Sequence, residues 1–253
     1  MGETQVPGHT AAFAAVARAL HLSTDRERLI DDRVALDLSG DGGAALMAQL
    51  TAQTPREALE DLSLAFAIRA RFVEDMVARA SQGGVAQYVI LGAGLDTFAY
   101  RRSDLVGRLR VFEVDRPIAQ SWKRARLAEL GISPPAQLSF VPVDFEANDV
   151  GGELIGGGLD ASRPAVVSWI GVIPYLGGDA IDRVLRWVAA LPRTSQLVLT
   201  YVVPPDQLPE LAQAGLAWTM SQAAVRGEPF RSLFRPREMA AGSAMPASRT
   251  WSW

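Results

Sequence analysis

Residues Gln87–Pro117 read QYVILGAGLDTFAYRRSDLVGRLRVFEVDRP. The stretch parses as an apolar strand at 87–91, a glycine turn at Gly92-Ala93-Gly94, a helix, and a second apolar strand over 109–114. The second strand ends at the acidic residues Glu113 and Asp115. A parallel α/β nucleotide site has this layout: glycines let backbone approach a ligand, and a strand-tip carboxylate can accept both hydroxyls of a ribose. A dinucleotide would want a third small residue three positions beyond the second glycine, close to the pyrophosphate. Here that position is Thr97, directly after Asp96. A carboxylate in the turn repels a pyrophosphate, but it is compatible with the ammonium and sulfonium charges of S-adenosylmethionine.

Outward from this segment the pattern repeats. The spacing predicts a helix over about 97–105, a helix over 117–130, strands over 137–142 and 164–169, a helix over 178–190, a strand over 195–203 and a helix near 206–226. Strands apolar on both faces and separated by helices predict an α/β fold of Rossmann-like type, a doubly wound, mostly parallel sheet with helices on both faces. Gly151–Asp160 (GGELIGGGLD) reads as a flexible loop. Upstream, residues 1–84 read as a helical N-terminal lid. A helix covers 11–20, a short helix begins at Asp31 and ends in the turn Ser39–Gly43, and a long amphipathic helix follows. Thr54 is its expected N-cap, Pro55 its first residue, and Gly83-Gly84 its stop. The core is expected over 85–240 and an irregular tail over 241–253, where this fold ordinarily adds a last strand pair. The closing strands therefore look missing or altered.

GAGLDT (92–97) and FEVDRP (112–117), with RALHLSTDRERLIDD (18–32), RARFVED (69–75), VPVDFE (141–146) and VVSWIGVIPYL (166–176) in this order, resemble the leucine carboxyl methyltransferase-like branch of the class I S-adenosylmethionine-dependent methyltransferases, and more narrowly its actinobacterial members. The resemblance covers about 10–240. It implies S-adenosylmethionine as cofactor, with Gly92 and Gly94 beneath its methionine part and Asp115 on the ribose with Glu113 close by. Asp144 and Phe145 would meet adenine, the carboxylate taking the exocyclic amine and a backbone N–H the ring nitrogen. One arginine of RARF would reach the cofactor's carboxylate, Arg69 being preferred to Arg71. Trp169 and Tyr175 are candidates for walls of the methyl-transfer pocket, since aromatic faces tolerate a sulfonium. Relatives often carry glutamate where Ile170 stands. Asp31 and Asp32 match the family's N-terminal motif without an evident chemical role.

Composition narrows the alternatives. Hydrophobic residues make up 49% and charged residues 21%, the formal net charge is −3, and there is no cysteine. Neither nucleic acid nor an anionic membrane is an expected partner, thiolate chemistry is excluded, and a cytoplasmic location fits. The only histidines are His9 and His21, so a metal centre is not expected. His21 is a poor candidate base. A carboxylate acceptor needs no base, because it is already ionised at neutral pH. Together with the resemblance, this makes O-methylation of a small-molecule or carboxylate acceptor the expected function. An adenosylmethionine-binding protein without turnover and a nucleotide-linked oxidoreductase are the rivals.

Overall fold

The computed structural model describes residues 8–24 and 27–241; the tail expected over 241–253 lies outside them apart from Ala241. Five strands form one wholly parallel sheet: β1 (Gln87–Leu91), β2 (Arg110–Asp115), β3 (Leu138–Pro142), β4 (Val166–Trp169) and β5 (Gln196–Leu199), in the order β3-β2-β1-β4-β5. The order reverses between β1 and β4, so the connections leave their carboxyl ends in opposite directions and open a crevice there. All of the expected strands form. The strand expected over 195–203 stops at Leu199. Thr200 instead turns its hydroxyl to accept from the Gly171 N–H at 2.7 Å. Among the described residues β5 is the last strand.

Alternation divides the core in two. On one face Val89, Leu91, Phe112, Val114, Val141, Val167 and Trp169 pack under α7 (Val150–Gly156) and α8 (Gly178–Ala190). On the other, Tyr88, Ile90, Val111 and Val166 meet Val73, Val77 and Ala80 of α3 (Arg56–Gln82), with Phe98 of α4 (Phe98–Arg101) and Val106 of α5 (Ser103–Val106). The last turns of α3 thus belong to the same buried layer as β1. On the β2–β3 side lies α6 (Pro117–Glu129), whose Gln120 side-chain amide donates to the carbonyls of Glu113 and Val141. The outer helices are α1 (His9–Leu20), α2 (Val34–Gln53), α9 (Glu210–Val225) and α10 (Pro236–Ala241).

Three local expectations are corrected. Of Gly151–Asp160 only 157–160 is loop, and the rest is helix. Asp149 caps α7 by accepting from the Gly151 N–H, and Val150 and Leu154, four apart, bury one face. The turn at Ser39–Gly43 is narrower than expected: Gly40, with φ 65° and ψ −163°, alone separates two helices that abut within α2, and the second of them was not anticipated. Thr54 does not cap α3, which begins at Arg56 after Pro55 with no side-chain cap. The stop is as expected, with Gly84 at φ 90° and the Val85 N–H closing on the Ala80 carbonyl.

Candidate functional site

The crevice is built from the loops that leave β1, β2, β3 and β4. After β1, Gly92 and Gly94 adopt φ of 67° and 47°, a region costly to other residues. The N–H groups of Gly92 and Ala93 donate to the Val114 carbonyl at 2.7 and 3.0 Å. The turn is therefore fastened to the end of β2. Asp96 Oδ1 then accepts from the Phe98 N–H and starts α4. A Cβ on Gly92 would lie 2.2 Å from Val172, and one on Gly94 3.1 Å from Ala11. The post-β4 loop and α1 thus rest directly on the turn.

The two acids of β2 have separate fates. Asp115, half-buried at the strand tip, accepts at Oδ2 from the Gly94 N–H (2.6 Å) and at Oδ1 from the Arg116 N–H (2.7 Å). Burial raises its pKa, and those two N–H groups oppose the rise. A carboxylate has roughly four lone-pair sites, so acceptor capacity remains for two hydroxyls. Glu113 is 1% exposed, and its Oε2 accepts from Lys123 Nζ at 2.6 Å. Burial pushes its pKa up to about 7 against the pull of the ammonium. Oε1 has no partner. Lys123, the only lysine in the chain, also donates to the Asp96 carbonyl at 2.7 Å.

After β3, the half-buried Asp144 accepts at Oδ1 from the Glu146 N–H, and its own N–H donates to Asn148. The Phe145 ring is buried, while its N–H has no acceptor among the described residues. Trp169 is wholly buried, 6.2 Å from the Phe145 ring, and its Nε1 has no partner among the described residues. It belongs to the core rather than to a pocket wall. Tyr175 faces outward from it: Phe230 meets its ring edge-on at 5.2 Å. Burial pushes its phenol up to about 12, Glu228 adds to the rise and Arg69 opposes it.

Arg69 stacks over Phe66 at 4.0 Å and donates Nε to the Ala65 carbonyl, but its guanidinium meets no carboxylate among the described residues. Burial lowers its pKa, and nearby Tyr175 counters this. Arg71 by contrast is taken by Asp75 and the Leu29 carbonyl. The Leu29 N–H donates to His21 Nε2, and burial lowers the imidazole's pKa, so His21 serves the fold and is poorly placed as a base.

The sequence did not announce the cover. The segment after α9 bridges α1 and the loop after β4: Glu228 Oε2 accepts from the Thr10 N–H at the start of α1, and the Arg231 and Ser232 N–H groups both donate to Pro174 O. Lys123 carried an overlooked signal, being the one ammonium among 25 basic residues.

A family model described as leucine carboxyl methyltransferase matches residues 11–189. A Frankia alni protein is 38% identical over 196 residues, covering 76% of this chain and 63% of that protein. A Mycolicibacterium smegmatis protein is 36% identical over 203 residues, covering 77% and 65%. Both are named among S-adenosyl-L-methionine-dependent methyltransferases, and this chain spans just under two thirds of their length. A solved DUF574-family protein from Streptomyces avermitilis superposes with a TM-score of 0.58 at 18% identity, covering 92% of this chain and 81% of that one. One from Thermobifida fusca, named as a methyltransferase, gives 0.55 at 22%, covering 94% and 80%. At such identities these two likenesses carry the fold. The family match covers well over half of the sequence: the chain belongs to the leucine carboxyl methyltransferase family.

Proposed function

We propose that the chain is an S-adenosylmethionine-dependent methyltransferase that methylates an oxygen of a small-molecule or carboxylate acceptor. One observation carries the cofactor assignment: Asp115 stands at the tip of β2 with Oδ2 2.6 Å from the Gly94 N–H, inside a turn that also contains Asp96. The donor set fits the group. Asp115 would take the ribose hydroxyls, Gly92 and Gly94 would pass beneath the methionine part, Asp144 and the free Phe145 N–H would meet adenine, and Arg69 would pair with the cofactor's carboxylate. When bound, the cofactor supplies an electrophilic methyl group. The protein's share is to orient the acceptor and exclude water, which can lower a barrier by about 7–11 kcal/mol in favourable cases. Tyr175 is the aromatic wall we assign to the acceptor side. Glu113, held by Lys123, and Trp169, enclosed in the core, leave the list of direct contacts.

Binding without turnover is favoured by one feature. Ile170, where relatives often carry glutamate, packs against the Tyr88–Val198 layer instead of offering a polar group to the site. An oxidoreductase is disfavoured by Thr97, which is buried and bonded to Asp32 where a dinucleotide turn needs a small residue.

Calorimetric titration with S-adenosylmethionine, S-adenosylhomocysteine and NAD tests the assignment. The adenosyl ligands are expected to bind in the micromolar range and NAD not at all. Asp115→Ala is expected to weaken binding at least tenfold, since it removes a charge-assisted pair of hydrogen bonds. Folded protein that binds none of the three would overturn the assignment. Binding with no methyl transfer to any acid, phenol or alcohol in an acceptor panel would select the reading without turnover.

A further inference from the structure

Two consecutive carbonyls just beyond the glycine turn, those of Leu95 and Asp96, accept from buried or nearly buried cations on opposite sides. Arg18 of α1 donates Nη2 to Leu95 O at 2.8 Å and Nε to Asp32 Oδ2 at 2.7 Å. Lys123 of α6 donates to Asp96 O at 2.7 Å and to Glu113 Oε2 at 2.6 Å. Each cation is therefore aimed at the loop by a carboxylate that never reaches the crevice, Asp32 at 0% and Glu113 at 1% exposure. Asp32 Oδ1 adds a third hold, accepting from Thr97 Oγ at 2.7 Å, with Arg101 Nε 3.2 Å away. Arg101 in turn pairs with Glu74, at 2.6 Å. Burial works against ionised Asp32, but Arg18, Arg101 and the bond from Thr97 outweigh it and hold its pKa below the ordinary value.

A loop that needed only to turn would not require four enclosed charges. Burying ions is expensive and contributes little net stability, and geometric specification is among their attested uses. Both clamps converge on the backbone directly after Gly94, whose N–H is bonded to Asp115. We propose that Asp32 and Glu113 are positioning residues, which act through Arg18 and Lys123 to fix the Gly92–Phe98 loop in its ligand-binding shape. This rests on the cofactor reading above, and it gives the family-like Asp32 and the chain's sole lysine a shared role.

Glu74 supplies the comparison, since it bonds no loop atom itself and reaches the Thr97 hydroxyl only through Arg101, which Asp32 also holds. Asp32→Asn, Lys123→Met and Glu74→Gln would be compared by calorimetric titration with S-adenosylhomocysteine and by amide hydrogen exchange of 92–98. The first two are expected to weaken binding tenfold or more and to speed loop exchange while β1 stays protected. Glu74→Gln is expected to leave both at wild-type values. Should Asp32→Asn fail to fold, Arg18→Lys retains the charge beside Asp32 and loses the second arm to Leu95 O, and Thr97→Val removes the hydroxyl that donates to Asp32 and accepts from Arg101; each is expected to speed loop exchange. Unchanged affinity and exchange in the clamp variants, or equal losses in Glu74→Gln, would overturn the proposal. If the wild-type protein binds no adenosyl ligand, the cofactor reading fails separately, and loop exchange alone decides whether the clamps hold this backbone.

Discussion

Among single residues, Glu113 shows how far a side chain's surroundings can redirect it. Its place at the tip of a strand suggests a ligand contact, yet an ammonium and a closed layer enclose it. Burial raises its pKa from 4.5 to about 7, with Asp96 and Asp115 adding to the rise and Lys123 resisting it. Between those values the native state retains a proton that the unfolded chain has released. The contribution of Glu113 to stability is therefore greatest below about pH 4.5, falls as pH rises to about 7, and is flat beyond. Urea unfolding at pH 5, 6, 7 and 8 is expected to show this decline in the wild type and its loss in Glu113→Gln. Lys123→Met leaves the acid unpaired and is expected to destabilise by about 3–5 kcal/mol at pH 8, and by less at pH 5, where the acid becomes neutral. None of this was readable from the local pattern, because the Glu113 partner arrives from a helix ten residues away along the chain.

At the level of elements, what was readable tracks how locally each element is determined. Strands β1 to β4 and helix α8 declare themselves through short apolar runs and helical spacing. Helix α7 was hidden by its glycines, although Asp149 as a cap and the Val150–Leu154 pair were present as signals. In α2 the SGDGG segment carries turn residues, but tertiary packing against α1 keeps both halves helical and confines the break to Gly40. There a Cβ would have room, with Trp122 and Arg126 both 3.9 Å away, so strain in the backbone is the whole penalty. Gly40→Ala is expected to destabilise by about 1–3 kcal/mol, measured as a lower urea midpoint at unchanged m-value. A cost near zero would show that α2 relaxes into an unbroken helix. The site followed the same rule. The glycine turn and the strand-tip acids Glu113 and Asp115 were visible from spacing, the preference for Asp115 came from the family resemblance, and the placement of Trp169 in the core depended on which face of β4 meets α8.

Across the whole molecule, the start of α1 meets the segment that follows α9. Thr10 and Glu228, 218 residues apart, share a hydrogen bond of 3.1 Å. Sequence patterns cannot express such a contact, and the covering segment after α9 went unseen for that reason. Its consequence is one of timing. Since Ala11 lies against Gly94, the start of α1 is expected to move aside before a molecule enters or leaves the turn. Ligand traffic is then metered by one helix end and its single bond to Glu228. In stopped-flow mixing, the observed rate for S-adenosylhomocysteine is expected to level off at high concentration, and Glu228→Ala to raise that plateau several-fold. A rate that climbs linearly in both proteins would mean the door stands open. If it does not, turnover by this fold has a ceiling set by how often a helix lifts, whatever the speed of the chemistry beneath it.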